Sequence, residues 1–179
     1  YFEEMRAHRY GYETPFISRL FEFHKLAGRR VLEIGVGNGI DAVEMARHWA
    51  VYAGLDITKN HLDLTRQNFE RNLPGYEPAL IEGDLLDADV GRDFDVVYAF
   101  GVLHHIAHEE SYLRRIHGLL KPDGTLRIAV YSKYSFFNAY LIATWLCRGR
   151  MRVPLLNWQS HVSEGTPLSE PVTIKLYSM

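Results

Sequence analysis

Glu33, Gly35, Gly37 and Gly39 alternate along one short stretch, Val31-Leu32-Glu33-Ile34-Gly35-Val36-Gly37-Asn38-Gly39-Ile40. An apolar, β-forming run that breaks into glycines and restarts as Asp41-Ala42-Val43-Glu44-Met45-Ala46-Arg47 reads as strand, turn and helix. Gly37 and Gly39 carry no Cβ, so the turn can adopt positive φ and a ligand can lie against bare backbone. The unpaired N–H groups of the helix start would face that ligand. Asp56 ends the next apolar run, about twenty residues on, where a carboxylate can accept both hydroxyls of a ribose. A third apolar run ends at Glu82-Gly83-Asp84-Leu85, and a fourth leads into His104-His105, whose imidazoles have the pKa of a useful base.

Three ligand classes use such a glycine turn. A phosphate-binding loop needs Gly-Lys-Ser/Thr at its end, which is absent here. A dinucleotide site wants G-x-G-x-x-G or Ala in the last place; Gly37-x-Gly39-x-x-Ala42 fits this loosely and Gly35-x-Gly37-x-x-Ile40 does not. The third pattern, acid-x-Gly-x-Gly-x-Gly, is met by Glu33, Gly35, Gly37 and Gly39.

The elements that must position these residues alternate between strand and helix periods. Strands are expected at Arg30–Ile34, Val51–Leu55 (running into Asp56), Pro78–Glu82, Phe94–Phe100 and Thr125–Val130. Helices are expected at Ile40–Trp49, Lys59–Asn72 and Ser111–Leu120, with Thr58 as a cap, Pro74-Gly75 as a stop and Lys121-Pro122-Asp123-Gly124 as a turn. Before them, a short helix is read over Phe2–Tyr10. A second runs from about Thr14 to Leu26, started by Pro15, stopped by Gly28, and packed through Phe16, Ile17, Leu20, Phe21 and Phe23. After Tyr131 the rhythm fails. Phe136–Cys147 reads as a helix, Arg148–Arg152 as a solvated turn and Pro154–Pro171 as loop, and Val172–Tyr177 as a strand or a helix start. Apolar strands separated by helices imply an α/β fold with a doubly wound, mostly parallel sheet covered on both faces.

At 179 residues the chain suits one core. Hydrophobic content of 47% and charged content of 23% are ordinary for a globular protein. A net charge of −2 gives no basic footprint for nucleic acid or anionic membrane. Cys147, the one cysteine, has no internal partner and fits a reducing, cytoplasmic setting. No apolar run reaches the ~18 residues of a membrane helix. The chain starts at Tyr1 rather than Met, as a fragment would.

The acid-and-glycine run resembles the first motif of class I S-adenosylmethionine-dependent methyltransferases. Four further motifs follow in order: Asp56 after the second strand, Asp84-Leu85 after the third, Phe100-Gly101-Val102-Leu103-His104-His105 after the fourth, and Leu119-Leu120-Lys121-Pro122-Asp123-Gly124-Thr125-Leu126. The resemblance is to the small-molecule, type 11 or UbiE-like group and covers about Arg29 to Tyr131. It implies a Rossmann-like core at 29–131, an N-terminal helical lid at 1–28 and a substrate-side extension at 132–179. It implies cofactor contacts from Glu33, Gly35, Gly37, Asn38 and Gly39, then Asp56 with Ile57. Asp84 would take the adenine amine and the Leu85 N–H a ring nitrogen. The backbone at Phe100 and Gly101 would approach the cofactor's amino group. Tyr10, with Arg9 and His8, would close as a lid, Arg9 meeting the cofactor's carboxylate.

The implied reaction is methyl transfer from S-adenosylmethionine to an O, N or C nucleophile of a small molecule. A sulfonium already leaves well, so alignment and exclusion of water carry most of the rate. His104 and His105 are the candidate bases. The fourth strand lacks the Asn/Asp-Pro-Pro-Tyr/Phe run of enzymes acting on base amino groups, and the double-Glu loop of protein arginine methyltransferases is missing. Tyr134, Phe136, Phe137, Tyr140, Trp145 and Trp158 form either an acceptor wall or a core or dimer contact. The family's sheet has seven strands, ending in a hairpin for which little strand-like sequence remains after Val130. Either the chain is truncated or a second chain, as in a homodimer, completes the sheet. Adjacent histidines are expected to point apart, and His117 and His161 lack partners at ligand spacing, so no metal is expected. The alternatives are an NAD(P)-dependent oxidoreductase and a cofactor-binding protein without turnover.

Overall fold

The computed structural model describes residues 2–147, 153–164, 167, 169, 172 and 174–178. The expected turn at Arg148–Arg152 lies outside them. The chain divides into two compact units, one of residues 1–99 and 110–128 and the other of residues 100–109 and 129–179.

The first unit opens with α1 (Phe2–His8), which continues as a wider turn over Arg9–Glu13. The helix expected from Thr14 to Leu26 is broken into α2 (Ile17–Leu20) and a single tight turn at Phe23–Lys25. Glu22 between them sits at φ 52°, in the left-handed region. Arg127 holds it there, donating to the Phe21 carbonyl and pairing with the Glu22 carboxylate at 3.4 Å. The break turns Phe16 and Leu20 out to solvent and keeps Ile17, Phe21 and Phe23 in the core.

The sheet follows: β1 (Arg30–Ile34), α3 (Ile40–Arg47), β2 (Val51–Asp56), α4 (Lys59–Asn72), β3 (Ala79–Glu82), β4 (Phe94–Phe100), α5 (Glu109–Leu119) and β5 (Leu120–Ala129). The strand order is β3-β2-β1-β4-β5 and the sheet is parallel, with Val31 beside Tyr52 on one side and Val96 on the other. Right-handed crossovers then put α3 and α4 on one face and α5 on the other. The order reverses between β1 and β4, the place where an open α/β sheet accepts ligands beyond its strand ends. Val31, Leu32, Val97 and Ala99 are fully buried. Phe69 anchors α4 with no exposed surface, a burial of the order of 2–3 kcal/mol.

Lys121–Gly124 does not form the expected turn. It is the first part of β5, and a Cβ at Gly124 would come within 2.8 Å of the Phe94 carbonyl on β4. Lys121 instead pairs with Asp95 at 2.8 Å, so a turn-type sequence is recruited into the sheet edge. Thr58 precedes α4 but makes no side-chain cap; its own N–H donates to Asp56.

In the second unit, Leu103–His105 form one tight turn after β4, and α6 (Phe136–Cys147) packs with α7 (Leu155–Glu164). The helix α7 lies where loop was expected. Its buried residues Trp158, Gln159 and Ser160 explain it: Gln159 donates to Asn138 of α6 at 3.0 Å, and Trp158 is 5% exposed. On α6, Leu141 is buried while Phe136 and Tyr140 are exposed. Ser132 and Tyr177 form one isolated parallel bridge. No helix among the described residues is long and apolar enough to cross a membrane.

Candidate functional site

The glycine turn in the first unit adopts the left-handed geometry its sequence allows. Gly35, Gly37 and Gly39 have φ of 76°, 53° and 74°. A Cβ on Gly37 would meet nothing within 4 Å, so its bare backbone borders open space. Gly39 is small for a different reason. A Cβ there would lie 2.7–2.9 Å from Thr65 of α4, backbone included, so it serves helix packing rather than a ligand. The turn is tied to α4, with Asn68 Nδ2 donating to the Asn38 carbonyl at 2.6 Å. The Asn38 side chain accepts the Ile40 N–H at 3.3 Å.

Asp56, 6% exposed, is the last residue of β2, directly beside the turn. Its oxygens accept the Gly37 N–H at 3.2 Å and the Thr58 N–H at 2.8 Å, with His61 Nδ1 3.3 Å away. Ile57 follows it and is exposed. Asp84 accepts the Leu86 N–H at 2.8 Å through one oxygen and the Tyr112 hydroxyl of α5 through the other. The Leu85 side chain is buried.

Glu33 is buried on β1 and accepts a hydrogen bond from the Tyr52 hydroxyl at 2.5 Å. Room for that tyrosine comes from Gly54, where a Cβ would fall 2.6 Å from the hydroxyl. Burial is the main force raising the Glu33 carboxyl well above the usual carboxylate range, and the charge of Asp41 adds to it. Tyr52 pulls the other way, and less. A carboxyl whose pKa is raised beside carboxylates ionises more readily when a cation enters.

Asp41 is the residue that the sequence reading missed. It lies in the first turn of α3, where the helix dipole favours an anion. It accepts the Tyr10 hydroxyl at 2.7 Å, the Tyr98 hydroxyl at 2.8 Å and Arg9 Nη2 at 2.7 Å. Arg9 and Tyr10, read as a lid over a ligand, are thus held by the protein's own carboxylate. Burial and that carboxylate raise both tyrosine hydroxyls far above their ordinary range, so they act as neutral donors. The signal was an acid just after the turn, with Arg9-Tyr10 upstream to pair with it. Arg6 similarly meets Glu44 at 2.8 Å.

Phe100, Gly101, His104 and His105 belong to the second unit. The Gly101 N–H donates to the Ala129 carbonyl at 3.1 Å, and Gly101 has φ 74°. The two histidines do not diverge. The tight turn brings their ring centroids to 4.1 Å, and Tyr131 lies 4.5 Å from His104. His104 is 2% exposed, and neither of its ring nitrogens has a hydrogen-bond partner among the described residues. Burial, helped by His105, lowers its pKa to about 4. His105 Nε2 lies 3.8 Å from Glu164, whose other oxygen accepts the Tyr131 hydroxyl at 3.0 Å.

A parallel sheet that reverses beside β1, a bare glycine turn and an acid at the tip of β2 make a Rossmann-like fold, and its likeness to solved structures makes it the class I methyltransferase fold. The chain belongs to the methyltransferase domain family, whose pattern matches residues 3–169. It is similar to the ubiquinone biosynthesis O-methyltransferase of Ruegeria pomeroyi, 33% identical over 145 residues, covering 78% of this chain and 54% of that protein. The enzyme of the same name from Actinobacillus pleuropneumoniae serotype 5b is 33% identical over 121 residues, covering 65% and 51%. The chain spans about half the length of these curated relatives. Among solved structures, magnesium protoporphyrin IX methyltransferase from Synechocystis PCC 6803 with bound SAH aligns with a TM-score of 0.60. That match has 20% identity, covers 74% of this chain and 60% of that one, and speaks for the fold alone. The cofactor that the family implies is S-adenosylmethionine.

Proposed function

We propose that this protein transfers the methyl group of S-adenosylmethionine to a hydroxyl oxygen of a small molecule. The observation that carries the reading is the acid-rich, backbone-lined turn around Gly37, with Asp41 and Asp56 near a buried Glu33 whose pKa is raised. S-adenosylmethionine brings a sulfonium and an ammonium, both cationic, and such a site favours them. A dinucleotide brings a pyrophosphate, and Asp41 already fills the anion-favouring start of α3. The residues therefore fit the methyl donor and disfavour the oxidoreductase alternative.

In this reading Gly35, Gly37 and Asn38 supply backbone against the methionine part, Gly39 lets the turn close onto α4, and Glu33 answers the ammonium. Asp56 and Ile57 hold the ribose, Asp84 and Leu85 the adenine, and Tyr10 the lid. Phe100 and Gly101 are assigned from the resemblance of their motif. When bound, the cofactor supplies the methyl group and a neutral thioether leaving group. The chain's own tasks are alignment, exclusion of water and removal of the acceptor's proton. His105, beside Glu164, suits that last role better than His104, whose low pKa makes it a weak base. An oxygen acceptor is favoured by the names of the curated relatives, which are O-methyltransferases. The composition supports a small-molecule acceptor over nucleic acid and a cytoplasmic setting, and a homodimer would cover an exposed sheet edge.

The test supplies S-adenosylmethionine with a panel of hydroxyaromatic acceptors and follows S-adenosylhomocysteine release and labelled methyl incorporation. Acceptor-dependent release supports the reading. A protein that binds the donor but gives no acceptor-dependent release across the panel contradicts it.

A further inference from the structure

His104, His105 and Glu164 bring two imidazoles and a carboxylate together within the second unit. Their ligand atoms all lie within 4.8 Å of one another. Opposite ligands of an ion with bonds of ~2.1 Å are at most about 4.2 Å apart, so small rotations of His105 and Glu164 close the set. Both of those side chains are partly exposed, 31% and 25%, which gives an ion a way in.

A second observation is independent of the spacing. His104 is almost wholly buried, yet among the described residues both ring nitrogens lack a partner. Buried polar atoms nearly always find one, and an orphaned imidazole is a costly residue to keep for packing alone. Its backbone is held firmly, with the His104 carbonyl accepting the Lys175 N–H at 2.9 Å. The ring is pinned between His105 and Tyr131. The Tyr131 hydroxyl also fixes one Glu164 oxygen, the kind of outer support that orients a ligating carboxylate.

We propose that His104, His105 and Glu164 form a site for a borderline divalent ion of the zinc or ferrous type. Two imidazoles and one carboxylate suit such ions over magnesium or calcium, which prefer oxygen ligands throughout. Three protein ligands leave positions open, so an oxygen of an acceptor can complete the shell. A hydroxyl bound to such an ion loses its proton more readily. The ion would then do what is assigned above to His105 as general base. The inference rests on that reading for its role in the reaction, but not for its existence.

The test is calorimetric titration of the chelator-treated full chain with Zn2+, and visible spectroscopy with Co2+. Single-site binding with a d–d spectrum typical of nitrogen and oxygen ligation is expected. Glu164→Gln and His105→Asn should each raise the ion's Kd at least tenfold, and Tyr131→Phe should raise it less. S-adenosylhomocysteine affinity, measured on the same samples, reports folding and the cofactor reading separately. Absent ion binding, or binding that neither ligand variant weakens, overturns the metal site and leaves the cofactor reading untouched. Lost S-adenosylhomocysteine binding with ion binding intact would sink the function and spare the metal site.

Discussion

The Tyr98 hydroxyl on β4 donates to Asp41 at the start of α3 over 2.8 Å, and both residues are buried. The same carboxylate holds Arg9 and Tyr10, so one side chain joins the sheet, the first crossover helix and the N-terminal segment. Replacing Asp41 with Asn removes the charge that faces the Arg9 guanidinium in a mostly buried place. Losing one partner of such a pair costs about 3 kcal/mol. The expected outcome is a lower urea midpoint with an unchanged m-value; a midpoint within error of the parent would remove Asp41 from this role.

Gly37 and Gly39 separate ligand contact from packing. Gly37→Ala pays only for its left-handed backbone, about 1 kcal/mol, because its Cβ enters open space. Gly39→Ala adds a Cβ 2.9 Å from the Thr65 backbone and should cost about 2–4 kcal/mol in total. S-adenosylhomocysteine affinity should fall at least tenfold for Gly37→Ala, with little change in melting temperature. Equal effects of the two variants on affinity and stability would contradict the division.

Glu33 has its pKa raised in the folded state, mainly by burial. Its contribution to folding stability is therefore greatest below the unfolded value of 4.5 and declines as pH rises above it. Glu33→Gln removes this decline while keeping an acceptor for Tyr52. The variant should be more stable than the parent at pH 8, with the gap closing toward pH 4. A parent whose stability rises relative to Glu33→Gln over that interval would show the shift to be reversed.

The same carboxyl should ionise when a ligand's ammonium is placed against it. Calorimetry of S-adenosylhomocysteine binding in buffers of different ionisation enthalpy should then report net proton release near neutral pH, abolished by Glu33→Gln. Buffer-independent enthalpies for the parent would contradict ionisation on binding.

Replacing His104 and His105 together with Ala should lower kcat about 100-fold or more. S-adenosylhomocysteine affinity should stay within about twofold of the parent. Unchanged turnover would remove both residues from the reaction.

What the sequence made legible was local. The strands, the glycine turn and the acids at the strand tips follow from apolar runs and backbone demands, and β1, β2 and β4 fall within a residue or so of their expected bounds. What it hid depended on distant partners. The break at Glu22 is set by Arg127, over a hundred residues away. Lys121–Gly124 reads as a turn until Asp95 claims Lys121. The helix α7 is amphipathic, but its polar buried face needs Asn138 to satisfy it. Adjacent histidines diverge on a regular strand or helix, and only the tight turn at Leu103–His105 brings them together.

The central claim is that the turn around Gly37 and its flanking acids accept an adenosyl compound whose amino acid tail presents an ammonium. Isothermal titration of the protein with S-adenosylhomocysteine, against NADH under the same conditions, tests it directly. Saturable single-site binding of the first and none of the second is the predicted result. Saturable NADH binding with no heat from S-adenosylhomocysteine would contradict it.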